Sequence, residues 1–266
     1  MLHHAPYINT HIHTTCSPDG THSPQEMAAQ ACACGLRIIA LTDHCETEQY
    51  YTNAYFRSVP EAYRQAAELR ETCRSPEVLV GIEIGQPRSN LPLCEQLLSR
   101  FSYDYVLASL HRLPDTMEYY HLGATVDGAV YLLRQYYAEL ERILAWGQFD
   151  ALAHITYPMR FIHAIHKLEI PRDAYRASLD RVLQAAAETG KAIEVNTQEG
   201  YLLPDLETLT RFRALGGRYV TLGSDAHSAA AIMQGLTAGQ QMIWDSGFRH
   251  ITVYRRRQPF ELPITE

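Results

Sequence analysis

The sequence predicts an α/β barrel of seven βα units, and three observations predict it. Short β-branched or apolar runs alternate with longer helical patterns along almost the whole chain, the signature of a parallel sheet. No Pro-, Gly- or Ser-rich linker interrupts the 266 residues, so one domain covering 1–266 is expected. Nearly every predicted strand runs into a metal-competent side chain, as a barrel requires when functional groups gather at the carboxyl ends of its strands.

The first strand, 8–10, leads into "HIHTTCSPDG", where His11 and His13 on alternate positions face one side and Asp19 enters the turn. A helix follows in "SPQEMAAQACACG", with Ser23 as N-cap, Pro24 at the first position and Gly35 as the stop. The strand at 38–41 ends in "TDH" with His44, and a helix at 60–72 follows. The strand at 78–82 delivers Glu83 inside "GIEIG", where an unpaired carboxylate among apolar neighbours is costly to bury. After a helix at 92–100, the strand at 105–108 delivers His111 in "SLH". After a helix at 127–146, the strand at 151–153 delivers His154 and, in "HITYPMR", Arg160. A helix at 172–188 precedes the strand at 192–195, which ends in Asn196; a helix at 204–215 precedes the strand at 219–222, which delivers Asp225 and His227 in "GSDAH". A last helix is expected at 229–245, and the basic run "YRRRQP" reads as a solvated terminal strand.

Apolar residues make up 46% and charged residues 20%, which places the chain among soluble globular proteins. A formal charge of −7 argues against nucleic acid and anionic membranes as partners, since both reward a cationic face. No leader-like segment or membrane-length apolar run is present, so a cytoplasmic protein is expected. The six cysteines, Cys16, Cys32, Cys34, Cys45, Cys73 and Cys94, have no framework spacing and read as reduced thiols. His3 and His4 read as a terminus, His22 as a loop residue, and His163 and His166 as a helix or loop pair; His121 and His250 carry no pattern. The clusters "YYTNAYF" and "YLLRQYYAEL" read as packing or substrate-wall surface. Taken singly, HxH, "TDH" and "SDAH" each have a bland explanation in turns and caps. Together, at successive strand ends, they read as one metal site.

The ordered set "HIHTTCSPDG", "TDH", "GIE", "SLH", "AH" and "GSDAH" resembles the polymerase and histidinol phosphatase (PHP) family over most of the chain. The resemblance implies a distorted (β/α)7 barrel with a trinuclear metal centre. It places one ion on His11, His13, Glu83 and Asp225, a second on Glu83, His111 and His154, and a third on Asp19, His44 and His227. Imidazole with carboxylate suits Zn, Mn or Fe. Within the family the length and "HITYPMR" look most like the members that hydrolyse L-histidinol phosphate, so a small phosphate ester is the expected partner. The alternatives are a phosphatase for nucleotides or phosphotyrosine, an amidohydrolase on a similar barrel, and a degenerate scaffold. Relatives often carry a basic residue shortly after "NT" where this chain has Glu199.

Three divalent ions among Asp19, Glu83 and Asp225 would leave a formal charge of about +3, enough to receive a phosphate dianion in an acidic protein. Such ions lower the pKa of bound water from about 15.7 towards about 7, so that a metal-bound hydroxide attacks phosphorus. Arg160, His227 and Asp19 are the candidate catalytic residues; Arg160, Asn196 and Glu199 are the candidate substrate contacts, with Arg160 gripping phosphoryl oxygens. A cationic amine on the substrate calls for an acid at some distance from Arg160, offered by Glu199, Glu46 or Glu48. No residue in the sequence identifies itself as the acid for the leaving alkoxide.

Overall fold

The structure is a computed structural model and describes residues 7–113 and 125–264. Eight parallel segments build its main sheet: β1 (Ile8–Ile12), β2 (Ile38–Leu41), β3 (His44–Glu46), β4 (Glu77–Gly85), β5 (Tyr105–Ser109), β6 (Ala151–Leu152), β7 (Ala192–Asn196) and β8 (Val220–Gly223). β2 pairs with residues 77–80 of β4 and β3 with residues 83–85, so these two are one strand broken at Thr42 and Asp43. Seven strands therefore run in the order β1, β2/β3, β4, β5, β6, β7, β8. At the seam the His13 N–H donates to the Ala226 carbonyl at 2.9 Å and the Asp225 N–H to the His11 carbonyl at 2.9 Å, closing the barrel at its carboxyl end. Lower down, the Asn9 amide takes the place of the ladder, donating to Ser224 Oγ at 2.7 Å while Asn9 Oδ1 accepts the Ser224 N–H at 3.0 Å. This is the distorted (β/α)7 barrel that the strand count and the family resemblance imply.

The helices follow the predicted alternation with instructive differences. α1 (Pro24–Ala33) has the expected Ser23 cap, closed into a capping box by Glu26. α2 (Tyr55–Thr72) begins before the predicted position 60, because burying Tyr55 and Val59 on the stripe that continues to Ala66 and Leu69 outweighs the one backbone bond Pro60 forgoes. α3 (Leu91–Arg100) and α4 (Val126–Trp146) fall where expected. α5 (Tyr157–Ala164) has no counterpart in the sequence reading; it follows His154 directly and carries Arg160. The helix expected at 172–188 divides into a 3-10 turn, Arg172–Ala174, and α6 (Arg176–Glu188). α7 (Leu206–Ala214) is capped by the Asp205 carboxylate. The helix expected at 229–245 divides at Gly235, whose φ of 70° stops it, leaving α8 (Leu236–Asp245).

A terminal hairpin, β9 (His250–Arg255) and β10 (Gln258–Pro263), corrects the reading of "YRRRQP". Arg255 forms a bidentate pair with Glu77 at 2.6 and 2.7 Å, Arg257 Nε donates to Asp150 Oδ2 at 2.5 Å, and the Arg256 N–H donates to Asp104 Oδ1 at 3.0 Å. These acids stand at the amino ends of β4, β6 and β5, so the run neutralises the end of the barrel opposite the polar strand ends and is not simply solvated. Among the described residues no helix is long and apolar enough to cross a membrane, and all six cysteines are free. His3, His4 and His121 lie outside the described residues; His22 accepts the Ala229 N–H at 3.3 Å, and His250 is exposed at the start of β9.

Candidate metal centre

The carboxyl ends of the strands bring the predicted metal ligands together. His11 sits on β1 and His13 one residue beyond it, their Nε2 atoms 3.0 Å apart. Glu83 Oε2, from β4, lies 3.5 and 3.6 Å from these nitrogens; Asp225 Oδ1, just past β8, lies 3.5 and 3.1 Å from them. The second oxygen of Glu83 faces His111 Nε2 at 3.2 Å and His154 Nε2 at 3.1 Å. His44, from β3, bridges the cluster, with Nδ1 2.6 Å from Glu83 Oε2 and Nε2 3.4 Å from His227 Nε2. Asp19 approaches from the rim, its Oδ2 3.2 Å from His227 Nε2 and its Oδ1 3.8 Å from His44 Nε2. Among the described residues, three groups bring their donor atoms within 4.8 Å of one another: His11, His13 and Glu83; His44, Glu83 and His111; and His13, His44 and His227.

Local backbone geometry aims these groups. His154 (φ 29°) and Asp225 (φ 53°) both adopt the left-handed region, which costs a residue with a β-carbon and concentrates at functional sites. β6 is only two residues long, and the turn immediately after it points His154 inward.

A second layer of hydrogen bonds sets the tautomers. Asp43 accepts from the Thr14 N–H (2.7 Å), the Thr14 hydroxyl (2.8 Å) and the Ser17 hydroxyl (2.7 Å). Ser17 Oγ, having given its proton to Asp43, accepts from His13 Nδ1 and the His44 N–H, each at 3.1 Å. His11 Nδ1 donates to Glu194 Oε1 at 2.6 Å, His111 Nδ1 to Glu46 Oε1 at 2.8 Å, and His227 Nδ1 to the Asp225 carbonyl at 2.9 Å. Each acceptor lacks a proton to give, so His11, His13, His111 and His227 keep a proton on Nδ1, and the Nε2 that each turns into the cluster is the atom free to bind a cation once it has lost its own proton.

Without a cation, the buried carboxylates and most of the imidazoles stabilise each other's charge. Burial raises the Glu83 carboxyl, but His44, His111 and His11 more than reverse this and hold it well below the usual range; Asp225 behaves alike beside His11 and His13. Burial lowers His11 and His111, yet Glu194, Asp225 and Glu83 lift the first, and Glu46 and Glu83 the second, well above the usual imidazole value. His13 is lowered well below it, first by burial and then by His44. Among the described residues, Glu83 Oε2, Asp225 Oδ1 and His44 Nδ1 are fully buried with no well-aligned hydrogen bond, although His44 Nδ1 lies only 2.6 Å from Glu83 Oε2. Buried carboxylate oxygens and imidazole nitrogens crowded together without well-aligned hydrogen bonds form a donor set that a divalent cation satisfies, and the residues present fit the implied metal.

The cluster opens into a cavity of about 350 Å³ lined by Asp19, Asn53, Tyr55, Tyr157, Gln198 and His227, among others. Tyr55 assigns part of the "YYTNAYF" cluster to the cavity wall, whereas Tyr136 and Tyr137 of "YLLRQYYAEL" are core. Arg160 does not line this cavity: it lines a neighbouring one of about 130 Å³ with Met159 and Tyr201, touches the first through its hydrogen bond to Gln198 Oε1, and forms an ion pair with Glu199, whose side chain is 63% exposed. Glu199 therefore does not stand apart from Arg160 as an amine site requires. Glu46 is buried against His111, Glu48 pairs with Arg112, and Asn196 is buried with its amide donating to Glu194 (3.1 Å) and Asp225 (3.2 Å). Sequence reasoning passed over Glu194 and Gln86. Glu194 carries the same signal as Glu83, a carboxylate inside an apolar strand, "AIEVN".

A parallel barrel whose strand ends converge imidazoles and carboxylates on one cavity is a metal-binding α/β barrel. The PHP domain family matches residues 9–198, and the chain belongs to that family. A histidinol-phosphatase from Lactococcus lactis subsp. lactis (strain IL1403) is 25% identical over 265 residues, covering 93% of this chain and 94% of its own length. A probable histidinol-phosphatase from Deinococcus radiodurans is 28% identical over 275 residues, covering 94% of this chain and 98% of its own length. The solved structure of histidinol phosphate phosphatase from Lactococcus lactis, complexed with zinc, L-histidinol and phosphate, has a TM-score of 0.76 at 22% identity, covering 96% of this chain and 100% of that one.

Proposed function

We propose that this chain is a metal-dependent phosphomonoesterase that hydrolyses L-histidinol phosphate to L-histidinol and phosphate. The observation that carries the reading is the convergence of two fully buried carboxylate oxygens, Glu83 Oε2 and Asp225 Oδ1, on the Nε2 atoms of His11 and His13. His11, His13, Glu83 and Asp225 would hold one ion, Glu83, His111 and His154 a second, and Asp19, His44 and His227 a third. Bound divalent ions supply charge to neutralise a phosphate dianion and acidity to generate hydroxide from water near neutral pH.

The chain's own residues do the rest. Arg160, held against the cavity-lining Gln198, has a planar guanidinium suited to two phosphoryl oxygens and would turn from the neighbouring cavity to grip them. Its present carboxylate partner, Glu199, is solvent-exposed and yields its place to the incoming phosphoryl group at little cost. Asp19, its side chain 62% exposed at the mouth, has a carboxyl pKa raised by burial but lowered to about 2 by His227 and His44, so it would serve as an ionised ligand at the rim of the cluster. Tyr55 and Tyr157 give the organic part of the ester an apolar wall. The substrate assignment draws further support from relatives that carry this activity in their names and align along nearly their full length.

Stripping the protein with a chelator should abolish turnover of L-histidinol phosphate, and Zn, Mn or Fe should restore it. Full turnover by metal-free protein overturns the metal dependence. In the intact protein kcat/KM for L-histidinol phosphate should far exceed that for p-nitrophenyl phosphate; equal values overturn the substrate and leave a general phosphatase.

A further inference from the structure

His111 stands two residues past the end of β5, where no strand neighbour takes its backbone N–H. That N–H donates instead to Gln86 Oε1 at 2.8 Å. With its oxygen so engaged, the Gln86 amide must turn its NH2 the other way, and it donates to Glu46 Oε2. The remaining oxygen of Glu46 accepts from His111 Nδ1 at 2.8 Å, which closes a ring that begins and ends on one residue. The ring is built into the fold. Gln86 is buried and held in the left-handed region (φ 47°), its N–H donating to the Ser109 carbonyl at 3.0 Å and its carbonyl accepting from the Thr47 hydroxyl at 2.5 Å. Gly85 is required beside it, since a β-carbon there would overlap the Glu46 carboxylate.

We propose that Glu46 and Gln86 are positioning residues for His111: Gln86 fixes the backbone that carries the imidazole, and Glu46 fixes its tautomer and plane so that Nε2 meets Glu83. The inference rests on reading His111 as a metal ligand. Its distinctive content is the direction of each hydrogen bond. A carboxylate only accepts, and an amide accepts on one side and donates on the other, so the ring closes in only one sense. Glu46→Gln sets NH2 against NH2 or breaks the contact to His111, and Gln86→Glu sets carboxylate against carboxylate. The double swap E46Q/Q86E restores every donor–acceptor pair: the new amide at 46 accepts from Nδ1–H and donates to the new carboxylate at 86, which accepts the His111 N–H.

The test is zinc binding by the full-length, metal-stripped chain in competition with a chromophoric chelator, read as stoichiometry and affinity. Each single swap should weaken one ion's binding by about 10–100-fold, the usual effect of losing a ligand's hydrogen-bond partner. The double swap should return the affinity to within a few-fold of the parent. A single swap with parental affinity, or a double swap no tighter than the weaker single, overturns the proposal. If a single swap does not fold, recovery of fold and affinity in the double swap supports it and failure to recover them overturns it. His111→Ala separates the two readings: full stoichiometry in that variant removes His111 from the ligand set, whereas loss of an ion there with unaffected single swaps removes only the positioning role.

Discussion

At Glu83 one carboxylate serves two sides of the cluster. Its Oε2 faces His11, His13 and His44, and its Oε1 faces His111 and His154. Replacing it with Gln keeps the shape, removes one charge from both sides and puts an NH2 where one of the two facing groups needs an acceptor. Metal content of Glu83→Gln, measured by elemental analysis, should therefore fall by more than one ion per chain. Loss of a single ion would show that Glu83 does not bridge. The same two-sided logic made Glu83 visible in the sequence, because an apolar strand such as "GIEIG" gives a lone carboxylate no local partner. Glu194 in "AIEVN" escaped the same reasoning because its role is to hold His11, 183 residues away, and no local pattern reports a partner that distant.

At the scale of elements, the strands were legible because each is a short apolar run buried on both faces, and a polar side chain at its carboxyl end marks where the run stops. The break between β2 and β3 was not, since it depends on Asp43 turning to Thr14 and Ser17 across the barrel. Nor was α5, a short helix set by the turn at His154 rather than by its own periodicity. The seam between β8 and β1 is equally tertiary. Gly223, the last residue of β8, lies so close to the His11 side chain and the Glu194 carboxylate that a β-carbon would overlap both. Gly223→Ala should thus destabilise the fold by roughly 1–3 kcal/mol, the range for overpacking, and weaken metal binding by displacing His11. Urea unfolding and a zinc titration check the two effects; a parental urea midpoint would mean that β8 shifts freely to make room.

Across the whole molecule the proposed metal centre would tie together groups from positions 11 to 227, delivered by β1, β3 and β4 and by the segments after β1, β5, β6 and β8. The unfolded chain scatters these ligands, so ions bind the native state far better than the unfolded one and stabilise it by mass action. The barrel has its own support in a hydrophobic core running from Ile8 to Ile264, so stripped protein should remain folded at 25 °C. What it loses is the compensation of buried charge: without a cation, Glu83 and Asp225 depend on protonated imidazoles, which burial disfavours. One ion present at a hundred times its Kd adds about 2.7 kcal/mol, and for a chain of this size each kcal/mol moves Tm by about 2–4 °C. Scanning calorimetry should therefore show Tm rising by roughly 5–10 °C for each site filled as zinc is returned to stripped protein. A stripped protein that is unfolded at 25 °C would mean that the metal centre, and not the core, holds the barrel. A Tm indifferent to zinc would mean that the converged imidazoles and carboxylates do not bind it.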